Sequence, residues 1–488
     1  MKLKKFFASK KIRYGSLATG LTAAFVVIMI AVNIVCSLLV ERFPLKVDLT
    51  EEKLFNISDE SLALFEEVKE PIEIFVLANE KEIEDSGKTG RQLNETLKLF
   101  KQHCSDIKIT YVDLTVTPTF TRQYPSETLE KGGIVIQSDR RYRYVPAFEL
   151  YIYHYDDYGN PIGVVGTQAE LKIATAVAGV ISERLPLAVV AVGHEEQPLD
   201  GLIALLKRNN YDIKSQNLIK DEIDQNADFI IIGAPKRDYS EETLKKLDAF
   251  LANETEEGAQ YGKNVFITFD AEQPILPNLE RFVSDWGIAV GSEMLWDTSY
   301  DVYFFTQYGQ SDFTAALNQK GVTTVSTYAR PLTRLFETDI ARDTVMILQS
   351  APTCVLRPAD AGADWDAGKA AKAVVPILVQ GKRYRYVSGE TSTTLTSGVI
   401  VSGSHSMFLS EITNNNALGN AELSLALFDQ LFDGNKIDLD IYPKELGGKE
   451  FALESNQDVW IGLVVFTILI PVLVLATGLV IWFRRRHL

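Results

Sequence analysis

The residues with the most chemical capacity form one short run, Gly193-His194-Glu195-Glu196, directly after the apolar stretch 187–192 (LAVVAV). An imidazole beside carboxylates can move a proton or hold a metal ion. In open α/β sheets ligands bind just beyond the carboxyl ends of strands, which is where this run would lie. The same residues also suit a plain strand-to-helix turn, with Gly193 free in φ and the acids near a helix start. Residue 198 is Pro198, so the HExxH pattern of a zinc protease is absent. Gly193, His194, Glu195 and Glu196 therefore read as a ligand- or partner-binding turn, with no catalytic and no metal-binding residue assigned. A hydrolase or carbohydrate-binding module using the same turn is the rival reading.

Other motifs carry less. Gly403-Ser404-His405-Ser406-Met407 lacks the G-x-S-x-G spacing of a nucleophile elbow and reads as loop. Gly87-Lys88-Thr89 looks like the end of a phosphate loop, but the position needing the first glycine is Glu82. Cys36 lies in an apolar run. Cys104 and Cys354 are far apart, no CxxC or Cys/His metal spacing occurs, and a bridge between them is not expected. No Walker motif is present, so the chain has no means of powering transport itself. No cofactor is implied.

The elements that must position the 193–196 turn follow from periodicity. Apolar residues at helical spacing after Ser58 predict a helix over 58–69, stopped by Pro71. Strands at 72–77 and 107–112, a helix at 91–103, a helical stretch at 120–130, strands at 134–137 and 141–145, and a helix at 168–183 complete a β-α-β-α-β-β-α order. That order suits a thioredoxin-like layer. The stretch after its first strand, Ala78-Asn79-Glu80-Lys81, has no cysteine, so thiol chemistry is absent. From Leu187 onward, strands at 187–192, 229–232, 265–269, 374–379 and 399–401 alternate with helices at 199–208, 240–252, 278–286 and 421–432. A mostly parallel sheet is expected. Pro376 predicts an edge strand or a bulge, and residues 300–370 read as an irregular insertion.

The chain has 488 residues, and its 49 Lys and Arg against 65 Asp and Glu give a net charge of -16. So acidic a surface repels phosphate backbones, and no nucleic-acid partner is expected. Residues 15–40 and 459–483 carry no charge. Each is long enough for a hydrocarbon core of about 30 Å, so two transmembrane helices are expected. Lys2, Lys4, Lys5, Lys10, Lys11 and Arg13 precede the first run, and Arg484, Arg485 and Arg486 follow the second. Basic flanks stay on the cytoplasmic side. The expected organisation is a cytoplasmic tail 1–14, a span 15–40, a thioredoxin-like extracytoplasmic domain 41–185, an α/β domain 186–433, a stalk 434–458, a span 459–483 and a tail 484–488. This places the protein in the plasma membrane with residues 41–458 outside.

Five stretches together resemble the GldG-like auxiliary proteins of bacterial ABC transporters, a family first associated with gliding motility. They are Val47-Asp48-Leu49-Thr50-Glu51-Glu52-Lys53-Leu54-Phe55-Asn56-Ile57-Ser58, Glu170-Leu171 opening the helix before Pro186, the 193–196 turn, Ala227-Asp228-Phe229 to Pro235 with Ser240-Glu241-Glu242, and Gly419-Asn420-Ala421-Glu422-Leu423. The resemblance implies an amidotransferase-like second domain without its cysteine nucleophile. It also implies an ABC permease and ATPase as partners; the two spans are expected to meet the lipid bilayer, and the outer domains a partner, cargo or cell-wall polymer. Where that family has glycine between the histidine and the glutamate, this chain has Glu195. The expected function is a non-catalytic, membrane-anchored auxiliary subunit that binds a partner or cargo outside the cytoplasm.

Overall fold

The computed structural model describes residues 56–446, apart from 126, 157–159, 257, 339–340, 388–392, 416, 433–436 and 438, together with 24, 27–32, 472–473, 476–478 and 480. By its contacts the chain divides into Met1–Asn56 and Ile57–Leu488. The described part is a mixed α/β protein.

The two transmembrane helices expected to flank it are not sustained. Among the described residues no helix is long and apolar enough to cross a membrane. A span needs about 20 apolar residues at 1.5 Å rise, whereas the described parts of 15–40 and 459–483 are short helical pieces, 27–32 the longest. The rest of both stretches, and the tails 1–14 and 484–488, lie outside the described residues. The plasma-membrane placement, the assignment of 41–458 to the outside and the bilayer anchoring rested on those spans and fall with them.

Residues 57–488 begin with α1 (Asp59–Glu67), β1 (Ile72–Val76), α2 (Glu80–Asp85), α3 (Lys88–His103), β2 (Ile107–Tyr111), β3 (Ile134–Gln137) and β4 (Tyr142–Val145). The Ser58 hydroxyl caps α1 by accepting from the Ser61 N–H at 3.2 Å. Gly87 starts α3 at φ 87°, so the Gly87-Lys88-Thr89 run is a helix start. The sheet runs β2-β1-β3-β4, with β1 and β2 parallel and β3–β4 a hairpin. Then follow β5 (Tyr151–Tyr155), β6 (Pro161–Thr167) and α4 (Ala169–Ile181). One face of α4 and one face of α3 cover the sheet and share a core with Ile72, Ile74, Phe100 and Val177.

The second part holds β7 (Leu187–Val192), α5 (Asp200–Arg208), β8 (Asp212–Asn217), β9 (Phe229–Gly233), α6 (Glu241–Ala252), β10 (Asn264–Thr268), α7 (Pro277–Asp285), β11 (Gln307–Tyr308), β12 (Arg342–Gln349), β13 (Pro376–Val387), β14 (Thr393–Ser402) and α8 (Asn420–Leu431). These strands form one sheet in the order β11-β12-β13-β14-β10-β9-β7-β8. The five from β14 to β8 are parallel, and the other three add antiparallel. Separate apolar cores cover the two faces, one containing Phe250 and Phe282, the other Phe229 and Phe428. Burial on both faces is why β9 and β10 read as unbroken apolar runs. Pro376 opens β13, an interior strand, opposite a register shift at Leu348 and Gln349. The bulge expected there exists and the edge strand does not. Residues 300–370 are also more regular than expected: they contain β11, β12, a capped helix at Asp312–Gln319 and the strands Val325–Thr327, Leu332–Arg334 and Cys354–Arg357. Cys104 and Cys354 are free, buried thiols in different cores.

Inside the stretch expected to be a polar stalk, β15 (Lys444–Glu445) pairs with β6, and Ile441 is buried in the first core. One carboxylate organises this return. Buried Glu170 accepts from Ser58 N at 2.6 Å and Ser61 Oγ at 2.9 Å through Oε1, and from Lys444 Nζ at 2.7 Å through Oε2. Burial alone would raise the Glu170 pKa, but the Lys444 ammonium and the Ser58 donors hold it below the ordinary carboxylate range. A depressed folded-state pKa means that this stabilisation is present above the unfolded value of about 4.3 and is lost as pH falls through the folded one. Glu170→Gln is expected to lower stability at pH 7 by about 3 kcal/mol and to flatten the acid limb. Urea unfolding at pH 7 and at pH 3 checks both, and an unchanged pH dependence would refute the assignment.

Candidate functional site

The order of the parallel strands places a switch point between β7 and β9. β8 lies on one side of β7 and β9 on the other, and the chain leaves both central strands at their carboxyl ends toward opposite edges. Such a divergence opens a crevice in this fold type. The 193–196 turn sits there, facing residues 234–239 after β9.

Backbone geometry shapes the turn. Gly193 has φ 125°, and a Cβ there would lie 2.9 Å from Asn217 Oδ1. A Cβ on Gly233, which ends β9, would lie 2.2 Å from the Gln197 carbonyl, so the two loops touch through backbone. The His194 carbonyl accepts from Lys236 N at 3.1 Å and Arg237 N at 3.0 Å, and Gln197 N donates to the Gly233 carbonyl at 2.7 Å. Glu195 takes φ 57°, a left-handed conformation that glycine adopts without cost. Glu195 keeps the turn at a cost of about 1 kcal/mol.

The crevice is filled from within. The buried Tyr239 ring stacks on the His194 ring, with centroids 3.8 Å apart and planes at 13°. Tyr239 Oη donates to Glu196 Oε1 at 2.8 Å, and Glu196 Oε2 accepts from His194 N at 2.8 Å. Burial and the neighbouring Glu196 carboxylate push the Tyr239 phenol far above its usual range, so it stays a donor. Burial would raise Glu196, but its hydrogen bonds to His194 and Tyr239 keep it low and ionised. His194 Nδ1 stands 3.5 Å from Glu196 Oε1, too poorly placed for a hydrogen bond, and is a buried nitrogen without a partner. Only Glu195 of the four faces solvent, its side chain 62% exposed and 4.0 Å from Arg237.

The fold brings a second motif to the same end of the sheet. Buried His405 shares a 3.0 Å hydrogen bond with Thr268 Oγ1 through Nδ1, and Thr268 Oγ1 accepts from Ala234 N at 3.0 Å. Burial holds the His405 imidazole below its ordinary value despite the Pro198 carbonyl, so it is neutral. Ser404 and Ser406 both donate to the Thr327 carbonyl, at 2.7 and 2.9 Å. These hydroxyls are committed to the backbone, and no serine–histidine pair forms. Among the described residues no group of His, Cys, Asp and Glu is arranged to hold a metal.

Sequence reasoning missed Tyr239 and Asp238. Asp238 caps α7, accepting from Asn278 N at 2.9 Å and Leu279 N at 3.1 Å. The apolar Leu276 at the helix's own cap position supplies no side-chain acceptor. Ser240 capping α6 four residues before the apolar Leu244 was the available signal that residues 234–239 form a tight, ordered loop.

Comparison with known proteins adds little function. Residues 51–141 match a domain of unknown function, DUF7088. A solved structure titled "mmIFT52 N-terminal domain" is similar at 15% identity and a TM-score of 0.35, covering 52% of this chain and 99% of that one. No curated protein matches. None of these matches points to an ABC transporter or to a membrane protein, and the descriptors of membrane, transmembrane helix and transporter auxiliary drawn from the sequence find no support in them.

Tyr239→Phe keeps the stacked ring and removes the donor to Glu196, leaving a buried carboxylate oxygen short of a partner. The expected loss is about 1–3 kcal/mol, measured by urea unfolding at pH 7. A loss below about 0.3 kcal/mol would mean that the hydroxyl does not hold the turn.

Proposed function

We propose that this chain is a non-catalytic auxiliary subunit that binds a protein partner through the rim of the crevice between β7 and β9. The observation that carries this is the Tyr239 ring lying flat on His194 at 3.8 Å, in the place where a small substrate would enter. Of the potential proton-transfer groups, Glu196 is bonded by Tyr239 Oη and by the His194 backbone N–H, and the His194 ring is covered by the Tyr239 ring. A partner then meets what the turn presents outward. Val192 and Ile219, 40% and 48% exposed, lie beside the turn, and Ile219 Cδ1 would be 3.3 Å from a Cβ at Gly193. Glu195 and Arg237 flank them. Apolar residues beside exposed charges suit a protein surface of standard composition.

The resemblance to the GldG-like proteins makes an ABC permease and its ATPase the first partners to test. The expected result is co-purification of that pair with the tagged full chain, reduced about tenfold by Glu195→Arg combined with Ile219→Asp. Both side chains are exposed, so the thermal midpoint should stay unchanged. Equal recovery with wild type and double variant would sink the rim as the contact. Hydrolytic turnover by the purified chain that disappears in His194→Ala would instead establish an enzyme.

A further inference from the structure

The β3–β4 hairpin and the end of α5 face each other across a cleft of 340 Å³. Arg140, Arg141 and Arg143 reach it from the hairpin, and Lys207 and Arg208 from the last turn of α5. Glu127 and Asp212 are the carboxylates that line it. In a chain of net charge -16, five cations at one cleft reverse the sign of the general surface.

The local pairing is uneven. Asp212 serves two guanidinium groups, Arg143 Nη2 at 3.0 Å and Arg141 Nη2 at 3.7 Å. Glu127 meets Lys207 at 3.5 Å. Arg140 pairs with Glu70 at 3.3 Å, and the largely buried Arg208 with Glu149 at 2.7 Å. Five cations of the cleft thus face four carboxylates, one of which, Glu149, also meets Lys172 at 3.5 Å. Arg143 is buried, and the loss of solvent depresses its pKa against the pull of Asp212. A guanidinium offers five donors in a planar fork that fits oxyanions. The Tyr142, Tyr144 and Tyr211 rings that complete the wall supply apolar surface around the charge.

From this we infer that the cleft binds a compact small ligand through an oxyanion group, either phosphate or carboxylate. Its volume is at the lower end of the roughly 300–1,000 Å³ typical of small-molecule sites. A nucleic-acid strand would meet the repulsion of the acidic surface around the cleft. The walls come from two parts of the fold, the hairpin of the four-stranded sheet and the α5–β8 edge of the eight-stranded one, so a bound anion also clamps them together.

The test is calorimetric titration and thermal melting of the full chain with inorganic phosphate, pyrophosphate and citrate, at ionic strength held constant with sodium chloride. Saturable binding of at least one anion is expected, with a rise in melting temperature as ligand binds the folded state. Arg140→Gln with Lys207→Gln should weaken it about tenfold. Those side chains are 43% and 27% exposed, and the Arg143–Asp212 pair stays intact. The unliganded melting temperature should therefore hold, which separates a binding role from a structural one. Preference for pyrophosphate over citrate would assign a phosphorylated ligand, and the reverse a polycarboxylate. No saturable response to any of the three, or equal affinity in the double variant, would overturn the site.

Discussion

A carboxylate taken out of water must be met by donors, and Glu170 is met by donors from both ends of the described chain. Ser58 and Ser61 come from its beginning, Lys444 from its return, and all converge on two oxygens of α4. The cost of burying that charge without these partners is several kcal/mol. The first layer therefore assembles with its opening helix and its last strand in place, or pays to leave Glu170 unmet. α4 also touches the second part of the fold. A Cβ at Gly179 would lie 1.8 Å from Asn210 Oδ1, in the turn after α5. Asn210 takes φ 64° and donates to the Thr175 carbonyl at 2.8 Å. The helix whose first turn gathers Ser58, Ser61 and Lys444 thus has its last turn packed against Asn210 after α5.

That second sheet offers the position where α/β proteins commonly bind ligands, and the chain fills it with a tyrosine. A stacked ring and a buried, ionised glutamate hold the 193–196 turn in a shape that includes a strained Glu195. What faces outward is modest in area, a pair of aliphatic side chains beside an exposed ion pair. The charged cleft at the β4–α5 junction is the reverse case, with five cations gathered along one cleft.

Much of the candidate site was legible because strands leave strong local signals. The run 187–192 is apolar enough that the turn after it could be placed to the residue, and glycine at 193 matches a backbone that tolerates no Cβ. The nature of the site was not legible. Nothing local ties Tyr239 to His194, since 45 positions separate them in the numbering and only the parallel pairing of β7 with β9 brings them together. The same holds for His405, which reads as loop and becomes a fixed, neutral part of the sheet's end through Thr268. Edge strand β8, with the polar sequence DIKSQN, lacks the apolar run that marked its neighbours and was missed for that reason. Residues 300–370 failed similarly, because their strands are short and gain order from pairing with distant partners.

By itself the sequence determined the alternation of strands and helices, the position of the cap at Ser58, the acidic balance, and the absence of redox and phosphate-loop motifs. These follow from local periodicity, composition and side-chain chemistry, which need no knowledge of distant contacts. The tertiary structure decided that the crevice is filled by Tyr239, that Glu170 joins the two ends of the described chain, and that arginines from a hairpin and a helix share one cleft. Each depends on groups far apart in the chain whose electrostatic and packing energies exist only once the sheets have formed.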